Sequence, residues 1–263
     1  MPVPLVIRFF GAVLCLLSLS TYASTPAATV VSLVGTVSAQ MPDKSLRILC
    51  EGATLGAQET IATQKKSYVR LRFSDGGQIT LRPQTSLRLD TYHYDEAKPA
   101  QDSIAFNLLK GGMRAISGLI GHRGNRDAYK AQAGVATIGI RGTRYGLLLC
   151  QDNCQGLLTA STSTDDAKQD PDKKQDPDKK SHTSSLGNGL YLEVSAGEIA
   201  VSNDAGERDY RVGQYGYVGT LNALPALLPQ DPGLNQALPA TLDSGLSLGN
   251  LPGIGQEGAC IAH

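Results

Sequence analysis

Cys150-Gln151-Asp152-Asn153-Cys154 closes an apolar run, and its two sulfurs stand four positions apart. That spacing admits two chemistries. A disulfide would staple a short loop to itself, whereas a pair of thiolates would make half of a zinc site. Zinc needs two further ligands at sensible spacing, and none of the four histidines lies close in sequence. The disulfide is the reading taken; with Cys15 in the N-terminal stretch read below as a signal peptide, Cys50 and Cys260 are left to pair with each other by elimination. A second polar cluster is Ile138-Gly139-Ile140-Arg141-Gly142-Thr143-Arg144-Tyr145-Gly146. Arg141 and Arg144 among glycines could form an anion-binding or partner surface, since guanidinium groups and exposed backbone amides both favour carboxylate or phosphate. The competing reading is close strand packing, with Arg141 tying loops by hydrogen bonds.

Two motifs in the C-terminal stretch point to chemistry that their surroundings do not support. Gly245-Leu246-Ser247-Leu248-Gly249 has the form of a nucleophile elbow, but no strand precedes it and the only later histidine is His263. Gly253-Ile254-Gly255-Gln256-Glu257-Gly258 has the form of a dinucleotide fingerprint, yet five residues follow it, too few for the helix that would hold the pyrophosphate. His93 and His122 read as loop residues. No catalytic, cofactor-binding or metal-binding residue is therefore assigned, and an enzyme acting on an envelope polymer through carboxylates from distant strands is the least favoured reading.

The elements that must position these groups read as strands. Val69, Leu71 and Phe73 alternate with Arg70, Arg72 and Ser74; Asp75-Gly76-Gly77 makes a turn, and Ile79 and Leu81 resume the alternation. Leu87 and Leu89 extend the same pattern, as do Ile104, Phe106 and Leu108. The one weak helix candidate, Met113 to Gly121, has two glycines and no cap pattern. A glycine followed by an alternating apolar pair recurs in Gly35-Thr36-Val37-Ser38-Ala39, Gly111-Gly112-Met113-Arg114-Ala115 and Gly197-Glu198-Ile199-Ala200-Val201. Recurring turn-then-strand units suggest rungs that stack, so the expected fold is all-β, a solenoid-like arrangement or roll of short strands, with a β-sandwich as the alternative.

The 263 residues are 41% hydrophobic and carry no net formal charge, but the signs are unevenly spread. Residues 24–150 hold 16 Lys/Arg against nine Asp/Glu, and residues 151–263 hold seven against 15. Residues 1–23 read as a signal peptide, with Arg8, an apolar run from Phe9 to Leu19 and small residues at Thr21 and Ala23. No later stretch reaches the roughly 20 apolar residues of a membrane span. The domain organisation expected is thus a signal peptide at 1–23, a β domain at 24–220 and a Pro/Gly/Leu-rich tail at 221–263. A polar insert at 160–185 contains the tandem repeat of Gln169-Asp170-Pro171-Asp172-Lys173-Lys174 and offers too little apolar burial to offset the entropy of ordering it.

Several fragments, in order, resemble a FecR domain, the periplasmic module of ferric-citrate-type regulators of iron uptake and of exported stand-alone proteins. They are Gly35-Thr36-Val37; Leu55-Gly56 leading into Ile61-Ala62-Thr63; Val69 through Asp75-Gly76 to Leu81-Arg82-Pro83; Leu109-Lys110-Gly111-Gly112; Ala136 to Thr143; and Val194 to Asn203 with Val212-Gly213-Gln214. The resemblance implies an all-β, solenoid-like fold without catalytic residues that acts in recognition or signal relay. In the regulators a cytoplasmic anti-sigma segment and a membrane helix precede the domain. This chain has a signal peptide instead, so it is more similar to the exported stand-alone type. The function expected is a non-catalytic periplasmic module that binds an envelope protein or glycan, or signals to a membrane-bound partner; a structural envelope scaffold is the alternative. Nucleic acid is not an expected partner.

Overall fold

A computed structural model describes residues 26–123, 125–152, 154 and 186–243. The expected signal peptide, the whole polar insert with its repeat, both C-terminal glycine motifs and Cys260 lie outside the described residues.

Nearly all regular secondary structure in the described residues is strand, as the alternation predicts. The first eight strands are β1 (Ala28–Val34), β2 (Val37–Gln40), β3 (Leu46–Ile48), β4 (Thr54–Leu55), β5 (Thr60–Thr63), β6 (Tyr68–Phe73), β7 (Gln78–Leu81) and β8 (Ser86–His93). Three long ones follow with a short one among them: β9 (Ser103–Ile116), β10 (Tyr129–Ala133), β11 (Ala136–Cys150) and β12 (Gly189–Asn203). The last are β13 (Gly206–Arg211), β14 (Tyr215–Val218) and β15 (Ala226–Leu228), and a single turn of helix, α1, spans Ala240–Asp243. Hydrogen bonds join all 15 strands into one mixed sheet. Only β9 and β10 run parallel.

That sheet is bent over into two facing layers, and the long strands belong to both. The Ser103–Lys110 half of β9 lies beside β8 and β10, whereas Gly111–Ile116 lies between β7 and β11. In β11 the change comes between Arg141 and Arg144, and in β12 between Ala196 and Glu198. One layer therefore runs β4-β1-β6-β7-β9-β11-β12-β14-β15, and the other β3-β2-β5-β8-β9-β10-β11-β12-β13. Side chains meet between them. The hydroxyls of Tyr129 and Tyr145 are 2.9 Å apart, Phe73 packs on Tyr92 with ring centroids at 5.5 Å, and Tyr210 donates to the Ala226 carbonyl. Residues of both layers share one apolar core, in which Tyr145, Tyr210 and Phe106 are among the largest fully buried side chains.

The recurring glycine signature marks the corners. Gly35 joins β1 of one layer to β2 of the other, and Gly111 and Gly197 are the bends of β9 and β12. Gly111 has φ +82° and Gly197 φ +75°, a backbone region that costs a residue with a Cβ about 1–2 kcal/mol. Space is short as well: a Cβ at Gly111 would stand 2.5 Å from Thr85 Oγ1, and one at Gly197 would stand 2.3 Å from the Gly142 carbonyl. Buried hydroxyls tie neighbouring corners together. Thr85 Oγ1 accepts from the Gly112 amide at 2.9 Å, Thr63 Oγ1 accepts from the Thr85 amide at 2.9 Å, and Ser67 Oγ accepts from the Thr36 amide at 2.9 Å.

Two segments depart from the sequence reading. Met113–Ile116 is the end of β9, and only Leu119–Gly121 forms a 3-10 turn, because the apolar residues Met113 and Ala115 alternate into the core. Tyr92 and His93 belong to β8, paired with Ile104 and Ser103, where loop had been expected.

Candidate functional site

Arg141 and Arg144 lie on either side of the β11 corner, and both are exposed. Arg141 is the last residue of the first half of β11, in register with Glu198, and borders a groove with Lys130, Glu207 and Asp209 on the outer face of that layer. Arg144 begins the second half, in register with Ile116 and Ala196. The bend at Gly142, φ +63°, sets the two arginines in different layers, and the ring of His122 fills the space beside that glycine. The loop carrying His122 is itself held by Asp75, whose carboxylate accepts from the amides of Gly77 and Ile120. Next to it Arg123 pairs with buried Asp102 at 3.2 Å and lies over the Tyr94 ring.

Cys150 and Cys154 are joined by a disulfide, so their sulfurs are not free to hold zinc. Cys50 is also disulfide-bonded. Its expected partner, Cys260, lies outside the described residues.

The most tightly built polar site is one that the sequence does not announce. On the outer face of the layer that holds β7, β9, β11, β12 and β14, residues Thr80, Arg114, Gly146, Glu193 and Tyr215 form one rung across five strands. Arg114 Nε reaches Glu193 Oε1 at 3.4 Å over Gly146, whose missing side chain makes the crossing possible: a Cβ there would stand 2.9 Å from Glu193 Cγ and Oε1. Gly112 does the same one rung away, where a Cβ would meet Arg82 Cδ and Leu148 Cδ1 at 3.1 Å. Arg82 is 6% exposed and Glu193 3%. Burial pulls the Arg82 guanidinium below its usual value, helped by the charge of Arg114. Burial likewise raises the Glu193 carboxyl, against the opposing pull of Arg114.

The cover of this site is the chain's own segment after β15. Arg82 Nη2 and Arg114 Nη2 both donate to the carbonyl of Leu234, the second at 3.0 Å. Arg114 also reaches Asn235 Oδ1 at 3.3 Å, and Asn235 Nδ2 donates to Tyr215 Oη at 3.2 Å. The Leu234 side chain, 1% exposed, enters a small apolar cluster with Leu148, Tyr191 and the disulfide of Cys150 and Cys154. Asp231 shapes the segment by accepting from the amides of Gly233, Leu234 and Asn235 at 2.9, 2.7 and 3.2 Å. Part of the stretch read as a Pro/Gly/Leu-rich tail, 226–235, thus packs on the sheet.

Arg114 stands at an outward position of β9 and Arg82 directly after the end of β7, where continued alternation reads an arginine as solvated. The signal that marks them is the pair of glycines at neighbouring outward positions, Gly112 and Gly146. Among the described residues no group of three or more His, Cys, Asp or Glu is placed to hold a metal, and no helix is long and apolar enough to cross a membrane.

Residues 59–160 match the family described as FecR protein, a stretch that contains Arg82, Arg114, Arg141 and Arg144. No curated protein matches the chain. Two solved structures are similar, both of a protein from Parabacteroides distasonis ATCC 8503 described provisionally as an anti-sigma factor. Their identities are 10% and 11%, each with a TM-score of 0.42 and covering 65% of this chain. The chain spans 60% of the length of those structures.

Proposed function

We propose that this chain, with its FecR-family stretch over residues 59–160, is a non-catalytic recognition module. It is exported to the periplasm by residues 1–23, and it binds an envelope protein or glycan or relays an extracytoplasmic signal to a membrane-bound partner. The observation that carries the reading is the arrangement of Arg82, Arg114 and Glu193 on an outer sheet face. The two arginines converge on a peptide carbonyl. Donors aimed at a main-chain oxygen recognise a chain without transforming it. Arg141 and Arg144 add two exposed guanidinium groups at the β11 corner. The resemblance to stand-alone FecR proteins supports the same class of role.

The test pairs crosslinked capture from the envelope with a transcript profile of the deletion strain. A partner recovered repeatedly by the parent chain and lost with Arg141→Glu/Arg144→Glu or Arg114→Gln, together with a restricted set of altered transcripts, is the expected result. A uniform envelope defect with no specific partner and no transcript change would overturn it in favour of a scaffold.

A further inference from the structure

We propose that Arg82 and Arg114 form a docking site for a carboxylate-bearing, leucine-like peptide segment of a partner protein, and that residues 229–236 occupy it as an internal stand-in. The proposal rests on the recognition reading above and names the chemistry of its ligand.

The donors exceed what the present occupant can accept. Two guanidinium groups converge on one neutral oxygen, that of Leu234. Arg82 Nη1 is buried with no hydrogen-bond partner, and Arg114 Nε has only the 3.4 Å ion pair with Glu193. A carboxylate has two oxygens and about four acceptor directions, so it uses a pair of forked donors that a single carbonyl cannot satisfy. Charge points the same way. The sheet face contributes two guanidinium groups against one carboxylate, Glu193, and the covering segment supplies the second, Asp231, whose field reaches both Arg82 and Glu193. Asp231 spends its hydrogen bonds on its own turn and none on the arginines. When the segment lifts, the site is left with one uncompensated positive charge.

Beside the arginines lies a socket for an apolar side chain. Leu234 fills it, against Leu148, Tyr191 and the disulfide. The Leu234 carbonyl and side chain therefore mark two subsites of one ligand, an anion subsite and an adjoining aliphatic one. A peptide ending in leucine would place its terminal carboxylate where that carbonyl now sits.

The full-length chain carrying Leu234→Ser, which weakens the internal occupant, is titrated with two synthetic peptides of residues 229–234. One ends in a free α-carboxylate at Leu234 and the other in a carboxamide. The acid form is expected to bind at least tenfold more tightly than the amide, and the parent chain at least tenfold more weakly than the Leu234→Ser chain. Arg114→Gln in the Leu234→Ser background should erase the preference for the acid, and Arg114→Lys should restore part of it, with thermal melts confirming that both fold. Equal affinity for acid and amide, a preference that survives Arg114→Gln, or no binding of either peptide would overturn the site. Acetate alone competing as well as the peptide acid would reduce it to an ion site and overturn the peptide ligand. Peptide binding without any captured envelope partner sinks the recognition reading and spares the site; a captured partner without peptide binding does the reverse.

Discussion

Arg114 on β9 and Glu193 on β12 form an ion pair across an intervening strand, 3.4 Å from Nε to Oε1, with Gly146 of β11 beneath it. Neighbouring strands stand about 4.8 Å apart, so the two backbones are separated by twice that spacing and the side chains meet only because the middle position has none. The glycine at position 146 is thus a component of a charge pair to which it contributes no atom.

Gly146→Ala tests that coupling directly. A Cβ placed 2.9 Å from Glu193 Cγ must push the carboxylate off its line, and freeing a buried charge from its partner costs on the order of 3 kcal/mol. Glu193→Ala removes both the obstacle and the charge, so the double variant should be more stable than the sum of the two single losses predicts. Urea unfolding of the four proteins measures the cycle; strict additivity would refute the coupling.

The raised Glu193 carboxyl has a definite sign in pH. A carboxyl whose folded value lies above its unfolded value binds protons more readily in the fold. Its contribution is full below the unfolded value, near 4.3, and is lost as pH rises through the folded one. Glu193→Gln, which keeps the shape without the charge, should therefore compare better with the parent at about pH 7 than at about pH 4. Denaturant midpoints at the two values decide it, and a pH-independent difference would contradict the assignment.

Glycines of positive φ should divide by surroundings. Gly76, φ +87°, has open space where a Cβ would go, whereas Gly197, φ +75°, faces the Gly142 carbonyl at 2.3 Å. Gly76→Ala is expected to cost about 1 kcal/mol from backbone conformation alone, and Gly197→Ala clearly more, because the neighbouring corner has to move. Thermal melts that rank the two in the opposite order would show that the corners are not tightly stacked.

The Tyr129 and Tyr145 hydroxyls, 2.9 Å apart in the core, have only a protein environment to ionise into. Burial raises both above the ordinary tyrosine value, and those of Tyr92 and Tyr210 are pushed up to about 12. A neutral fold so favoured keeps its stability below about pH 10 and loses it as pH rises beyond. Tyrosinate absorbance from these four should appear together with unfolding and not before. Tyr145→Phe should cost about 1–2 kcal/mol by orphaning the Tyr129 hydroxyl, and Phe at both positions should cost less than twice that.

Much of the fold is legible in local pattern. The hairpin of β6 and β7 falls where Val69, Leu71, Phe73, Ile79 and Leu81 alternate around Asp75-Gly76-Gly77, and the glycine signature at Gly35, Gly111 and Gly197 locates three of the corners. The Cys150–Cys154 bridge is the one that the four-residue spacing of the two cysteines suggests. The Arg82 and Arg114 site is not local in this sense. It depends on five strands lying side by side and on Leu234, which is 152 residues from Arg82. Period-two reading sees an outward arginine and assigns it to water, since nothing in its neighbourhood of sequence says that a distant segment will cover it. The uneven charge along the chain leaves residues 24–150 with an excess of Lys and Arg. Part of that positive charge is answered within the molecule, by Glu193 and Asp231 from the acidic half.

The bends of β9, β11 and β12 also bear on how the molecule comes apart. A sandwich of separate sheets can open like a book, because only side chains hold the covers together. Here three backbones pass through the spine, at Gly111, Gly142 and Gly197, so the two covers are joined by peptide bonds as well as by side chains. Parting them fully requires these three strands to lose their pairing on at least one side, so separation of the layers is coupled to unfolding of the long strands.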